Sequence, residues 1–328
     1  MIPTATAKPS RILVVALDNL GDLVFASALT PPLRRTFPGA SIDVWAKAYT
    51  APVAKLVPHV RDVIAADPFW AVPPHLARPP IGDFLRSIGE IRRRKYDVAV
   101  LSGAPWRTAA AVAAAGIPRR IGLARHRNQY FLTDVLPAED IHRPVLREQA
   151  RLLTPLGIPS VNPRYELDVT RLGPLRQTIA AQLPRRFVAL HPFASARNRC
   201  VSLLEWTQLA FALQSRGFPV LWIGTRSELA ELQTFTHPKG YYASDLGDGS
   251  LAASAAALSL ARLFIGHDSG PLHIAGAFGV PVIGVFAPGQ PDRTFPQGVG
   301  PSRMIARASP EGINAGTIMR EVDALQVG

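Results

Sequence analysis

A carboxylate, a hydroxyl, a glycine and two histidines fall together in His267-Asp268-Ser269-Gly270-Pro271-Leu272-His273, between the apolar run Leu263 to Gly266 and a second one, Val282 to Phe286. That order reads as strand, tight turn, short helix and strand, with Pro271 suited to the first helical position and Gly279 to a left-handed close. N–H groups in a helix's first turn have no partner within the helix, and the helix dipole favours an anion beside them. The turn therefore suits a diphosphate, with Gly270 letting the main chain come close. Asp268 sets a condition: a carboxylate beside phosphates has to be reconciled by a metal ion, a sugar hydroxyl or a backbone N–H. Three more segments follow strand-like runs: Asp18-Asn19-Leu20-Gly21-Asp22, His191 to Arg199 (HPFASARNR) and Gly224 to Glu228 (GTRSE). Open parallel sheets take their ligands at such strand ends.

The elements that must hold these segments alternate along the chain. Strands are expected at Arg11 to Leu17, Ser41 to Ala46, Asp62 to Ala66, Tyr96 to Leu101 and Arg120 to Leu123, separated by helical stretches, as in a parallel sheet. Pro31 and Pro32 require any helix between Leu23 and Phe37 to be short or broken. Phe69 to Pro80 (FWAVPPHLARPP) reads as a long surface loop, either a substrate contact or a plain insertion. His142 to Leu156 has helical spacing, and a linker is expected near Asp168 to Gly173. Alternation then resumes with a helix near Leu175 to Gln182, strand Phe187 to His191, helix Leu203 to Arg216 and strand Phe218 to Ile223. The last helical stretch, Ala315 to Leu325, has the freedom to pack on either lobe.

At 328 residues and 48% hydrophobic content, two domains are expected, residues 1–170 and 171–328. The single cysteine, Cys200, excludes an intrachain disulfide and a cysteine-ligated zinc site, and no histidine is placed by sequence as its base. The first ten residues contain no apolar signal core, and no run approaches the roughly 18 apolar residues of a bilayer span, so a cytoplasmic protein is expected. Net charge is +12, unevenly spread: residues 1–165 hold 22 Lys/Arg against 12 Asp/Glu, and residues 166–328 hold 14 against 12. The first half is thus the side expected to meet an acidic partner, if the arginines are more than solubilising surface. Basic runs without interleaved aromatics argue against a single-strand nucleic-acid platform, and the first strand lacks the G-x-G-x-x-G turn of a nicotinamide dehydrogenase.

Taken together, the four segments resemble glycosyltransferase family 9, the heptosyltransferases of lipopolysaccharide core synthesis. That family's pattern is a first strand with a G-D turn, H/P-G/A-S followed by K-x-W-P, then G-x-x-x-E, then D-S/T-G-x-x-H. The resemblance covers nearly the whole chain and implies an α/β fold of the GT-B class, two Rossmann-like doubly wound domains facing a central cleft. Acceptor would bind the N-terminal domain and nucleotide sugar the C-terminal one. The activity implied is inverting transfer of heptose from ADP-heptose to a lipid A-Kdo type acceptor, at the cytoplasmic face of the inner membrane. No cofactor is required, with Mg2+ near Asp268 left open.

The resemblance puts the catalytic aspartate at Asp22, a general base for the acceptor hydroxyl; locally, the same carboxylate suits the first turn of a helix. Asp18 is expected to cap that turn. Arg199 stands where the family has lysine and would meet the leaving diphosphate, but the chain reads Arg199-Cys200-Val201-Ser202 in place of K-x-W-P. Arg197 is its nearby substitute. Donor contacts are expected from His191, Ser195, Glu228 (to ribose), Asp268, Ser269, Gly270 and His273. Turn, core and helix-start roles remain open for Ser195, His191 and Glu228. Acceptor contacts are expected from Arg107, Arg119, Arg120, Arg125 and Arg127, with the run Arg92 to Lys95 either joining them or simply ending a helix. A transferase using another nucleotide sugar or glycan, and a binding relative without turnover, are the alternatives.

Overall fold

The computed structural model describes residues 8–71, 79–125, 127–138, 142–160, 162–236 and 239–325, with only the backbone of 235 and 236. The chain divides into two compact units, Met1–Pro163 and Arg164–Gly328. Most of the proline-rich stretch Phe69 to Pro80 lies outside the described residues. Its first two residues are anchored: Phe69 and Trp70 pack edge-on against Phe84, which stacks on the buried Trp45.

The first unit contains β1 (Arg11–Ala16), α1 (Leu20–Ala26), α2 (Thr30–Thr36), β2 (Ser41–Ala46), α3 (Ala51–Ala54), β3 (Val60–Ala65), α4 (Ile81–Arg94), β4 (Val98–Leu101), α5 (Trp106–Ala114), β5 (Arg119–Leu123), β6 (Asp134–Leu136) and α6 (Val145–Arg151). Its strands are all parallel, in the order β3-β2-β1-β4-β5-β6. Residues 12–16 of β1 are buried on both faces, as parallel strands covered by helices must be. The two prolines act as expected: α1 gives way to a 3-10 turn at Ser27–Leu29, and α2 restarts with proline in its first turn, where no N–H is missed. β6 was not foreseen, because three residues carry too little pattern.

The second unit contains α7 (Gly173–Ala180), β7 (Val188–His191), α8 (Leu203–Ser215), β8 (Val220–Trp222), α9 (Arg226–Thr236), β9 (Tyr241–Tyr242), α10 (Leu251–Leu258), β10 (Leu263–His267), α11 (Gly270–Ala277), β11 (Val282–Phe286), α12 (Pro291–Thr294), β12 (Ser302–Ala306) and α13 (Ala315–Ala324). The sheet order, β12-β11-β10-β7-β8-β9, repeats that of the first unit strand for strand. In each sheet the chain reverses its direction of travel beside the first strand, between β1 and β4 and between β7 and β10. Crevices for ligands open at the carboxyl ends of such strand pairs.

One boundary departs from expectation, and one packing choice that the sequence left open is decided. Residues 164–172 belong to the second unit and do not form a free linker. Tyr165 is fully buried, and Leu167 N–H donates to Ala277 O at the end of α11. The final helix, α13, packs on α8, where Glu205 accepts from the Ala315 N–H at 2.8 Å.

Candidate active site

In the first unit Asp22 occupies the third position of α1, at the carboxyl end of β1. Its Oδ2 accepts from Asn19 N–H at 3.2 Å, while the Asn19 side chain accepts in return, a reciprocal cap that fixes where the carboxylate sits. The cap is therefore Asn19, and the capping role expected of Asp18 is corrected. Lys47 follows β2, and Gly103 follows β4, at the same sheet edge.

The arginines expected to meet an acceptor separate into two groups. Arg107 and Arg127 are exposed near the carboxyl ends of β4 and β5, Arg107 lying 4.8 Å over the Trp106 ring. Arg125 is close by, but its guanidinium pairs with the buried Glu148 at 2.5 Å. Arg119 and Arg120 begin β5 and so lie at the opposite sheet edge. Arg119 is taken up by Asp134 (2.9 Å) and Pro155 O (2.5 Å), and Arg120 by Phe131 O and Ile117 O, both 2.6 Å. Their expected acceptor role is corrected: both guanidiniums hold strand ends and loops together. The run Arg92 to Lys95 likewise closes α4, with Arg94 bonded to the buried Asp43 at 3.1 Å and Asp62 at 2.7 Å.

In the second unit the loop after β7 and the turn after β10 meet at the switch point. Arg199 lines a small pocket with Ala194, His267, Asp268 and Val285 to Pro288. The cation is thus beside the turn singled out for phosphate. Asp268 Oδ2 accepts from Thr294 Oγ1 at 2.9 Å, and Oδ1 stands 3.5 Å from His273 Nε2. His273 is 2% exposed, and its Nδ1 lies 3.2 Å from the Tyr165 hydroxyl. If that hydroxyl donates, Nε2 carries the ring proton and faces Asp268. A hydroxyl donor and a ring thus account for the carboxylate that the sequence left to be reconciled. Among the described residues no group of three or more His, Cys, Asp or Glu is placed to hold a metal ion.

His273 orients Asp268 and is too buried for the direct ligand contact expected of it. The same correction applies to His191: it is 6% exposed, bonds Ile223 O through Nδ1 at 2.8 Å, and is held neutral by burial. Ser269 precedes α11 and turns its hydroxyl back to His267 O, and Gly270 opens the helix one position before Pro271. Gly279 (φ 83°) closes it as its sequence suggests.

A second pocket is lined by Pro192, Phe193, Arg197, Cys200, Ser202, Glu228 and Glu231. Glu228 caps α9, its Oε2 accepting from Thr225 N–H (2.7 Å) and Oγ1 (2.9 Å), and so combines the helix-start role with a place on the pocket wall. Arg197 is drawn aside by a two-pronged pair with Glu231, 2.7 and 2.9 Å, which weakens its standing as a substitute for Arg199. Ser195 is exposed on the same loop.

His267 carries no role that its local sequence marks. Its Nε2 accepts from Val201 N–H at 3.1 Å, and burial lowers it to about 4. A neutral ring therefore pins the loop that carries Arg199. Val201 is buried in place of the family's tryptophan, and Ser202, in place of its proline, caps α8 by accepting from Glu205 N–H. Nothing local in the sequence marks contacts spanning 66 residues.

Two parallel α/β units, each open at its switch point, define the GT-B class of glycosyltransferase folds. The family 9 glycosyltransferase of Veillonella parvula DSM 2008 superposes with a TM-score of 0.81 at 17% identity, covering 96% of this chain and 97% of that one. The Escherichia coli ADP-heptose lipopolysaccharide heptosyltransferase II gives 0.79 at 21% identity, with 96% and 98% covered. Lipopolysaccharide heptosyltransferase 2 of Escherichia coli K12 is 23% identical over 313 residues, 87% of this chain and 85% of that protein. The model of glycosyltransferase family 9 (heptosyltransferase) matches residues 84–313. The chain belongs to that family and is a glycosyltransferase.

Proposed function

We propose that the enzyme transfers heptose from ADP-heptose, with inversion, to an anionic lipopolysaccharide core acceptor of the lipid A-Kdo type. The observation that carries this reading is the pocket that joins Arg199 to the Asp268 turn at the opening of α11. In the transfer the acceptor oxygen attacks the anomeric carbon as Asp22 takes its proton, and the bond to the diphosphate breaks with its electron pair leaving on ADP. Arg199 and the first-turn N–H groups of α11 meet the charge that develops there. Glu228, on the wall of the second pocket, meets the ribose hydroxyls, and the exposed Arg107 and Arg127 meet acceptor phosphates or carboxylates. Work at the inner membrane's cytoplasmic face follows from that acceptor. The relatives' names, one of them an ADP-heptose transferase, support the donor.

Val201 and Ser202, where the family has tryptophan and proline, favour a second reading in which another nucleotide sugar is used. Thermal stabilisation across nucleoside diphosphates and nucleotide sugars separates the two, because a ligand at 100 times its Kd adds about 2.7 kcal/mol to the folded state. ADP and ADP-heptose are expected to give the largest rise, and a larger rise with a different base would overturn the first reading. Asp22→Ala is expected to lower transfer by about a thousandfold with ADP binding within twofold of the parent enzyme. Transfer that survives the substitution would remove Asp22 from the base role, and absence of transfer by the parent enzyme with every donor would support a binding protein.

A further inference from the structure

We propose that Tyr165 is a positioning residue for the donor: through His273 it holds the Asp268 carboxylate away from the opening of α11, where the diphosphate is to sit. The inference deepens the transferase reading above and rests on it for the diphosphate. Arg199 and Asp268 line one pocket, so the same small space holds a cation that draws phosphate in and a carboxylate that repels it. An anion site works there only if that carboxylate is kept turned to the protein. Three side chains of the second unit do this, Tyr165, His273 and Thr294, and nothing local to Tyr165 in the sequence gives a sign of it.

The phenol is fully buried beside α11 and the segment before β12. A Cβ on Gly276 would lie 3.4 Å from its hydroxyl, and one on Gly298 3.0 Å from its ring. There the Gln297 backbone N–H donates to the hydroxyl, which lies 3.2 Å from His273 Nδ1. A hydroxyl oxygen that accepts from an amide turns its own proton to the neighbouring acceptor, so Nδ1 receives it and Nε2 carries the ring hydrogen. Nε2 stands 3.5 Å from Asp268 Oδ1, while Thr294 Oγ1 donates to Oδ2 at 2.9 Å. The opposite tautomer would set a nitrogen lone pair against the carboxylate and push it toward the pocket. As built, both oxygens are held from the protein side, and the Asp268 side chain is 18% exposed.

The experiment has two arms. NMR of the 15N-histidine-labelled parent enzyme at pH 8, without ligand, reads the His273 ring, whose resonances are assigned by their loss in His273→Gln. A proton on Nε2 and none on Nδ1 is expected, and a proton on Nδ1 overturns the proposal. Calorimetric titration then follows the nucleoside diphosphate that binds the parent enzyme best, expected to be ADP, in the parent enzyme, Tyr165→Phe, Asp268→Asn and the double variant. Phenylalanine keeps the ring that fills the space beside Gly276 and Gly298, so the fold survives. Tyr165→Phe is expected to weaken binding about tenfold on its own and less than about twofold in Asp268→Asn, where no charge has to be held off. Equal losses in both backgrounds would mark a merely structural role and overturn the proposal, as would parent-like binding by Tyr165→Phe. A parent enzyme that binds another base best defeats the ADP-heptose reading and leaves the cycle to be run with that base, whereas one that binds no nucleoside diphosphate overturns both.

Discussion

At the scale of single residues, the site is assembled from groups whose local sequence suggests a lesser role. Asp22 is an early-helix acid by sequence, and it does cap α1, yet the same cap holds its carboxylate at the carboxyl edge of the sheet. Asp18 shows burial working against a charge. Its folded pKa of about 6 lies above the ordinary 3.8, so the folded state binds the proton more tightly than the unfolded one. Its contribution is therefore favourable at low pH and is lost as pH rises through 6. Asp18→Asn is expected to be more stable than the parent enzyme by up to about 3 kcal/mol at pH 8, with the advantage fading below pH 4. Urea unfolding of both proteins at several pH values checks the sign. The arginines divide in the same way. Arg107→Ala with Arg127→Ala is expected to lower kcat/KM for acceptor about tenfold while leaving donor KM and melting temperature unchanged. Arg119→Ala should do the reverse, lowering the melting temperature through the freed Asp134 and Pro155 carbonyl. Steady-state kinetics and calorimetry on the two proteins distinguish them.

At the scale of elements, α11 is held from several sides, and that fixes the turn at its start. Gly276 O accepts from Val299 N–H at 3.2 Å, Tyr165 reaches His273, and Thr294 of α12 reaches Asp268. A Cβ on Gly298 would fall 2.1 Å from Gly276 O, a contact with backbone that no side-chain rotation relieves. Gly298→Ala is expected to cost about 3 kcal/mol, at the upper end of overpacking, and to weaken ADP binding because α11 has to shift. Urea midpoints and calorimetric titration with ADP measure both. The glycine's role was invisible in sequence, since 298 and 276 meet only when the segment before β12 crosses α11. The helix itself was legible: proline near its start, glycine just past its end and apolar strands on both sides are local signals.

At the scale of the whole molecule, the surplus of positive charge in the first half is partly internal bookkeeping. Arg94, Arg119 and Arg125 serve carboxylates of the same unit, leaving Arg107 and Arg127 exposed near the sheet's carboxyl edge. Binding to anionic vesicles is expected to be measurable at low ionic strength. It should fall steeply between 0.05 and 0.3 M salt, because screening shortens the reach of exposed charges from roughly 14 Å to 6 Å. Cosedimentation with neutral vesicles as the control checks this, and salt-independent binding would point to an apolar contact instead. No helix among the described residues is long and apolar enough to cross a membrane.

The sequence by itself determined the class of fold and the four turns that matter. Alternating apolar runs, prolines, glycines and the G-D and D-S-G turns all act within a few residues, where local sterics and hydrogen bonding decide the outcome. Which side chains are available at those turns was settled by tertiary structure. His191 and His273 are turned inward by carbonyl and hydroxyl partners, Arg119 and Arg120 are committed at the far edge of the sheet, and Asp18 is aligned by a glycine 85 positions away. A side chain's charge and use depend on what is packed against it. In a parallel sheet those neighbours come from strands distant in sequence, so no local pattern records them.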